Sequence, residues 1–269
     1  MMQFLSITTI QTKLHWEDKQ ANRNMLEEKI LGIKEKTNIV VLPEMFTTGF
    51  SMRPELLAEK MDGETISWMR KMAKTRSIIL VGSLIIEEDT KYYNRLIWML
   101  PTGEFGFYDK RHCFSLSGED EHYTPGTKRL IASVGGWKVN LCICYDLRFP
   151  VWTRQVIQSD PDQEPAPEFD LLIYVANWPE VRSNAWKILL QARAIENQCY
   201  VVGVNRVGND VHETKHSGDS MVIDPLGEIV YHQTENEHIQ TIVIDKVKLN
   251  TVREKFPFWL DADHFLITD

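Results

Sequence analysis

The sequence predicts an α/β fold, because segments typical of strands and segments typical of helices alternate along the whole chain of 269 residues. The composition agrees with this, since hydrophobic residues make up 43% and charged residues 25%, which suits a globular protein with a sizeable core. The chain has no internal repeat, low-complexity tract or clear linker. Residues 160–168 contain three prolines and four acidic residues and are predicted to form a solvated loop. We therefore predict a single domain over residues 1–269.

In the first half of the chain, short apolar or alternating runs predict strands, and apolar residues three or four positions apart predict helices. A Pro-Thr-Gly turn at residues 101–103 separates the last two strands of this half. The predicted strands are residues 4–10, 38–42, 78–86, 94–100 and 105–108, and the predicted helices are residues 22–36 and 65–76.

In the second half, Pro150 suits the first position of a helix, so a helix is predicted over residues 150–159. Ser183 is predicted to be the N-cap of a helix over residues 183–198. The first two strands of this half form a predicted hairpin across a Gly-Gly turn at residues 135–136. The predicted strands are residues 128–133, 137–144, 171–176, 200–205, 220–224 and 239–244, and a last helix is predicted over residues 247–255.

Charge and composition exclude several classes of protein. The formal net charge is −8 and the isoelectric point about 5.5, so we expect no nucleic-acid partner. No apolar run approaches the roughly 20 residues of a membrane span, and the N-terminal residues do not have the pattern of a signal peptide, so we expect no membrane association. The four cysteines are spaced neither as a disulfide framework nor as a zinc site. We expect a cytoplasmic protein with reduced thiols and no metal.

Cys144 is the candidate nucleophile. It ends the predicted strand 137–144, and Pro150 begins a predicted helix shortly after it. A turn between a strand and a helix exposes a thiol, and free N–H groups near the helix start favour negative charge there. An isolated cysteine is more often an inert core residue. That interpretation applies to Cys142, which lies inside the same strand.

Two charged residues also follow short apolar strands. Glu44 lies in LPEMF at residues 42–46, where partial desolvation would raise the pKa of its carboxyl and suit it to act as a general base and acid. Lys110 lies in YDKRH at residues 108–112, where an ammonium can stabilise a developing anion. Taken singly, each is more often an ordinary charged residue in solvent.

Together, LPEMF, YDKRH and the segment CYDLRFP at residues 144–150 resemble the nitrilase superfamily of carbon–nitrogen hydrolases. The resemblance covers almost the whole chain. Within the superfamily the sequence is most similar to the bacterial ω-amidases, in the segments at residues 44–50, 176–179 and 253–257. Further matching segments are SGED (117–120), YVANWP (174–179), ARAIENQ (192–198) and HSGDS (216–220).

The resemblance implies a four-layer α-β-β-α sandwich and a homodimer or larger assembly. The predicted helices at residues 150–159 and 183–198 are the candidates for the contact between subunits. It also implies a triad in which Glu44 is the general base and acid, Lys110 stabilises the oxyanion and Cys144 is the nucleophile. No cofactor is required by this chemistry.

Several further residues are expected in the same pocket. The backbone N–H of Tyr145 is expected to be a second oxyanion donor, since it follows the nucleophile directly. The resemblance implies that Glu119 supports the triad, and Glu121, two residues later, is its rival. The candidates for substrate binding are Trp178, Arg148, Arg182 and Arg206, the arginines because a guanidinium suits a carboxylate.

The predicted activity is hydrolysis of the distal amide of small dicarboxylic acid monoamides, namely 2-oxoglutaramate and 2-oxosuccinamate, through a cysteine thioester. The alternatives within enzymes are another amidase of the family, a nitrilase or a carbamoylase. A catalytically silent scaffold member is a different class, and intact Glu44, Lys110 and Cys144 argue against it. The weakest alternative is a Cys-His protease that uses His112 or His216.

Overall fold

The computed structural model describes residues 2–156, 165–263 and 265–267, whose strands form two β-sheets. The strands are β1 (Phe4–Gln11), β2 (Ile39–Val41), β3 (Ile79–Glu88), β4 (Lys91–Met99), β5 (Phe105–Asp109), β6 (Ile131–Val134), β7 (Trp137–Ile143), β8 (Leu171–Val175), β9 (Tyr200–Val204), β10 (Val207–Asn209), β11 (Lys215–Ile223), β12 (Ile229–Thr234) and β13 (His238–Asp245). The α-helices are α1 (Lys19–Leu31), α2 (Pro54–Leu57), α3 (Glu64–Arg76), α4 (Glu119–His122), α5 (Pro150–Thr153), α6 (Ser183–Asn197) and α7 (Lys246–Lys255). Short 3₁₀ helices cover Ser115–Ser117, Cys144–Arg148, Glu180–Arg182 and Phe258–Asp261.

The first sheet has the strand order β13-β1-β2-β3-β4-β5, and the second has the order β10-β11-β9-β8-β7-β6 with β12 paired to β11. In both sheets the central strands are parallel, since β1, β2 and β3 run together and so do β7, β8 and β9. Parallel neighbours need a crossover between them, which explains why helices separate these strands in the sequence. The chain segments that leave the carboxyl ends of β2, β7, β8 and β9 carry the side chains of the site described below.

Alternation along the strands assigns their side chains to two different layers. In β2, Ile39 and Val41 lie in the core between the sheets, whereas Val40 faces the helices α1 and α3 on the outside. The second sheet is covered on its outer face by α6, through side chains that include Trp186 and Leu190. The layers are therefore helix, sheet, sheet and helix, and the predicted α-β-β-α sandwich is confirmed.

The predicted helix over residues 150–159 is wrong in extent. Pro150 does begin α5, but the helix ends at Thr153, and residues 157–159 lie outside the described residues. The backbone beyond Thr153 bonds to distant groups instead of continuing the helix. Gln155 donates its N–H to Oδ1 of Asn197 at 2.8 Å, and Val156 donates to Oε2 of Glu168 at 3.2 Å.

Other boundaries also differ from the prediction. Ser183 is the first residue of α6 rather than its N-cap, because a 3₁₀ turn at Glu180–Arg182 runs directly into the helix. The strands β10 and β12 are not in the sequence-based prediction. The predicted loop 160–168 lies partly outside the described residues, and its last residue, Glu168, is buried in an ion pair with Arg129 at 2.8 Å. Among the helices that the structure describes, none is both long enough and apolar enough to cross a membrane.

Candidate active site

Glu44 is buried between the two sheets, three residues after the end of β2 at Val41. Its carboxylate is completely enclosed and accepts hydrogen bonds from three donors on different segments. Oε1 accepts from Nδ2 of Asn94 at 2.8 Å and from Nζ of Lys110 at 2.9 Å, and Oε2 accepts from the backbone N–H of Asn177 at 2.8 Å. A buried carboxylate with this many donors is held in one orientation.

Lys110 directly follows β5 and connects two buried carboxylates. Its Nζ lies 2.9 Å from Glu44 and 2.8 Å from Oε2 of Glu119, and the side chain is 1% exposed. Glu119 is the first residue of α4 and is also fully buried, where it accepts from the N–H of Phe114 as well. Its rival Glu121 is exposed, so Glu119 is the glutamate that meets Lys110.

Cys144 stands on a sharp turn at the carboxyl end of β7. Its φ of +41° lies in the left-handed region, which a residue with a Cβ adopts only at a cost, and such strain is frequent at functional turns. The turn is held by Asp146, whose Oδ2 accepts the N–H of Ile143 at 2.9 Å. Tyr145 is the second residue of the 3₁₀ helix Cys144–Arg148, and the first N–H groups of a helix have no acceptor within it.

The charges of this cluster shift one another's protonation. Burial raises the pKa of the Cys144 thiol well above its ordinary value, and the Glu44 carboxylate raises it further while Lys110 opposes the shift. Burial by itself would lower the pKa of Lys110, but the two glutamates and Cys144 together hold it well above its ordinary value. Burial also raises the pKa of Glu119. The resting site is therefore a neutral thiol beside a charged ammonium.

A cavity of about 620 Å³ opens from Cys144 to the surface. It is large enough for a small metabolite and combines aromatic walls with charged groups. The cavity is lined by Trp178, which is 3% exposed, and by all three predicted arginines. The structure therefore brings every predicted substrate-binding residue to one cavity. Within the described residues, Arg148, Arg182 and Arg206 form no ion pair. The guanidinium of Arg148 lies 5.0 Å from the Trp178 ring, and that of Arg182 lies 5.1 Å from the Phe114 ring.

Comparison with known proteins identifies the family of this chain. Residues 6–255 match the carbon–nitrogen hydrolase family. The chain is 40% identical to the omega-amidase YafV of Escherichia coli K12, over 97% of this chain and 98% of the relative. The chain belongs to the carbon–nitrogen hydrolase family. It is therefore an enzyme of the amidase type, as the sequence predicts.

Two further similarities support membership of the carbon–nitrogen hydrolase family. The 2-oxoglutaramate amidase of Bacillus subtilis is 30% identical, over 95% of this chain and 96% of its own length. The crystal structure of XC1258 from Xanthomonas campestris, a CN-hydrolase superfamily protein, superposes with a TM-score of 0.95 at 40% identity, and covers 99% of this chain and 100% of that one.

Three residues of this hydrolase site are absent from the sequence-based prediction. Asn94 donates to both Glu44 and Glu119, Asn177 donates to Glu44, and Asp146 supports the turn at Cys144. Asn177 and Asp146 lie inside segments that match the family, so the family resemblance could have indicated them as site residues. Asn94 lies in the middle of β4, and no local pattern distinguishes it.

The histidines have other partners in this hydrolase. Nδ1 of His112 lies 2.8 Å from Oδ1 of Asp146, and the ring stacks on Phe149 with centroids 3.8 Å apart. His216 lines the cavity, but its Nδ1 lies 3.0 Å from the carbonyl of Thr214. Neither histidine forms a hydrogen bond with Cys144 in the part of the chain that the structure describes. This arrangement does not support a Cys-His protease.

Proposed function

We propose that this hydrolase is an ω-amidase, which releases ammonia from the distal amide of small dicarboxylic acid monoamides such as 2-oxoglutaramate and 2-oxosuccinamate. The observation that carries the proposal is one cavity that contains both a buried Glu-Lys-Cys cluster and three arginines that form no ion pair with any residue that the structure describes. The cluster suits amide hydrolysis, and the arginines suit a substrate with a carboxylate. The names of the Escherichia coli and Bacillus subtilis relatives point to the same substrate class.

In the first step, Glu44 takes the proton of the Cys144 thiol as sulfur attacks the amide carbon. The nearby charge of the Glu44 carboxylate supports this assignment, because it adds to burial in raising the pKa of the Cys144 thiol and so keeps the sulfur protonated in the resting enzyme. Attack turns the carbonyl oxygen into an oxyanion. The ammonium of Lys110 and the backbone N–H of Tyr145 are the proposed donors to that oxygen.

In the second step, the protonated Glu44 returns its proton to the amide nitrogen, and the C–N bond breaks with release of ammonia. The acyl group is then a thioester on Cys144. A water molecule attacks the thioester and gives a proton to Glu44, and the same donors stabilise the second oxyanion. Collapse of this intermediate breaks the C–S bond and releases the carboxylic acid, and Glu44 returns the proton to the sulfur of Cys144. These steps call on no metal or organic cofactor.

Glu119 is proposed to support catalysis by fixing Lys110. It receives two contacts from Nζ, at 3.0 and 2.8 Å, and it adds a second negative charge that keeps the lysine protonated. An ammonium held on one side by Glu119 and on the other by Glu44 cannot turn away from the position of the oxyanion. This preorganisation is where electrostatic catalysis gains most of its effect.

The carboxylate end of the substrate is proposed to meet one or more of Arg148, Arg182 and Arg206, with Trp178 as an apolar wall. A charge-assisted hydrogen bond contributes about 1.5–3 kcal/mol. That free energy corresponds to about one to two decades in affinity. It is enough to separate a monoamide that carries a carboxylate from a neutral amide of the same length.

Three broader expectations are proposals of the same kind. We propose that residues 1–269 form one catalytic domain, since side chains of both sheets share one core. We propose a cytoplasmic homodimer or larger assembly, in which α6 contributes to the contact. Ile188 and Ile195 on α6 and Val151 on α5 are each more than half exposed, which suits a buried interface.

The test is ammonia release from a panel of substrates at pH 7.5: 2-oxoglutaramate, succinamate, glutamine, a simple nitrile and an N-carbamoyl amino acid. We expect the highest kcat/KM with 2-oxoglutaramate. A higher value with the nitrile would make the protein a nitrilase, a higher value with the N-carbamoyl amino acid would make it a carbamoylase, and no turnover of any would indicate a silent scaffold. Cys144→Ala is the control for contaminating activity.

A further inference from the structure

Arg206 differs from the other arginines of the cavity because its side chain is buried. It is 2% exposed, and no carboxylate of the described residues lies within ion-pair distance of it. Its guanidinium is fixed by neighbouring carbonyls, since Nε donates to Val207 at 3.4 Å and Nη2 donates to Asn209 at 3.1 Å. The third nitrogen, Nη1, makes no hydrogen bond within the described residues, although the side chain lines the cavity.

A buried cation without a counter-ion is costly, because desolvation is not offset by an ion pair. Burial lowers the pKa of Arg206 to about 10, and the nearby charge of Asp210 only partly opposes this. Asp210 is occupied elsewhere, because its Oδ1 accepts the N–H groups of His212 and Thr214 at 2.8 and 2.9 Å. An anion in the cavity would complete the environment of Arg206.

The other two arginines carry no such cost. Arg148 is exposed and Arg182 is half-buried, and each rests on an aromatic ring, so water and the ring faces already solvate them. Solvated arginines can attract an anion but gain less free energy when they bind one, since an ion pair that is exposed to water contributes little.

The register of the second sheet places Arg206 within reach of a substrate on Cys144. Ile143, Val175 and Val204 are aligned across β7, β8 and β9. Cys144 follows the first of these strands and Arg206 lies two residues beyond the third. Two strand spacings, each about 4.8 Å, separate the aligned ends of β7 and β9. An arginine side chain and a substrate of four or five carbons can together span that distance.

We propose that Arg206 is the anchor for the substrate carboxylate and determines the preference for monoamides of four- and five-carbon dicarboxylic acids. The pre-oriented guanidinium would present Nη1 to the carboxylate while the distal amide lies at Cys144. This inference rests on the proposed function and adds to it the residue that selects the substrate.

The test compares amides of equal length with and without a carboxylate: glutaramate against pentanamide, and succinamate against butanamide. In Arg206→Met we expect kcat/KM for the two monoamides to fall about 10- to 100-fold, mainly through KM, and kcat/KM for the neutral amides to change less than about threefold. Arg206→Lys keeps the charge without the fork, so we expect an intermediate loss. Arg70→Met, on the exposed face of α3 and outside the cavity, is the matched control.

The kinetic outcomes separate this inference from the proposed function. If the wild-type enzyme does not prefer the carboxylate-bearing amides, the proposed function fails. If it does prefer them and Arg206→Met retains that preference, or Arg148→Met or Arg182→Met removes it instead, the Arg206 assignment is overturned. Equal losses on both amides in both Arg206 variants would mean a structural role and would also overturn it.

His216 gives a readout that is independent of turnover. Burial, and then the charge of Arg206, lower the pKa of this histidine to about 4. A carboxylate on Arg206 would offset that charge, so saturation with glutarate should raise the pKa of His216, measured by NMR of imidazole-labelled protein. In Arg206→Met the pKa should be higher from the start, and glutarate should no longer shift it. A glutarate-induced shift of equal size in wild type and Arg206→Met would contradict the assignment.

Discussion

Nζ of Lys110 lies 2.8 Å from Oε2 of Glu119, and neither side chain is accessible beyond about one per cent of its surface. The same ammonium contacts Glu44 at 2.9 Å, so one buried cation serves two buried carboxylates. With both carboxylates ionised, Lys110, Glu44 and Glu119 together carry one net negative charge. The proposed triad and Glu119 thus share one electrostatic environment, and removing any member changes the others.

Lys110→Met should lower the free energy of unfolding at pH 7 by about 3–5 kcal/mol, because it leaves Glu44 and Glu119 buried without a cation. Urea unfolding followed by circular dichroism measures this. The double variant Lys110→Met/Glu119→Gln removes one of the two carboxylate charges and should recover part of the loss. No recovery in the double variant would show that the two glutamates are not coupled through Lys110.

Cys144→Ala should abolish turnover and leave the unfolding transition nearly unchanged, whereas Cys142→Ala should retain most activity. Cys142 lies inside β7 among core side chains, and Cys144 lies at the turn beside the cavity. When the reaction with 2-oxoglutaramate is quenched with acid, peptide mass spectrometry should locate the acyl group at Cys144. An acyl group on Cys142 would reverse the assignment.

Alkylation of Cys144 by iodoacetamide should accelerate about tenfold per pH unit up to at least pH 9. The folded pKa of the thiol is raised by burial and by Glu44, so the reactive thiolate remains a small fraction below that pH. Glu44→Gln removes a negative charge and should move the titration to lower pH. A rate that levels off near pH 7 in the wild type would indicate a stable thiolate–lysine ion pair instead.

Asp146→Asn should lower kcat about 10- to 100-fold with little change in KM. The carboxylate accepts hydrogen bonds from the N–H of Ile143 at 2.9 Å, the N–H of His112 at 3.0 Å and the hydroxyl of Tyr108 at 2.7 Å. It therefore joins the turn at Cys144 to the segment that follows Lys110. An amide nitrogen among these donors would misplace the turn. Tyr108→Phe removes only one donor and should cost less than about tenfold. Equal effects of the two variants would argue against this role.

His216 should contribute to acid sensitivity of the fold. Its folded pKa is lowered by burial from 6.5 to about 4, so the unfolded chain takes up the proton first as the pH falls. The stabilisation is present above pH 6.5 and is lost progressively towards pH 4, by about 3 kcal/mol in total. His216→Gln should flatten the stability curve in this window, measured by thermal unfolding, and His122→Gln on the surface should not. An unchanged slope in His216→Gln would exclude this contribution.

The sequence by itself indicates the sandwich and the candidate catalytic residues. Glu44, Lys110 and Cys144 each follow a short apolar strand, and such strands are recognisable because buried strands need β-branched and aliphatic side chains. Their order along the chain carries the family resemblance. Local patterns of this kind depend only on neighbouring residues, which is why they can be recognised without the fold.

The tertiary structure decides what depends on distant partners. It brings Asn94, in the middle of β4, to Glu44 and Glu119, and it buries Glu119 but not Glu121. It also ends α5 at Thr153, because the N–H groups that follow bond to the side chains of Asn197 and Glu168. It also distinguishes the arginines. In the sequence all three are equivalent cations near matching segments. Only packing makes Arg206 a buried charge with no counter-ion among the described residues, because desolvation is a property of the surroundings and not of the residue.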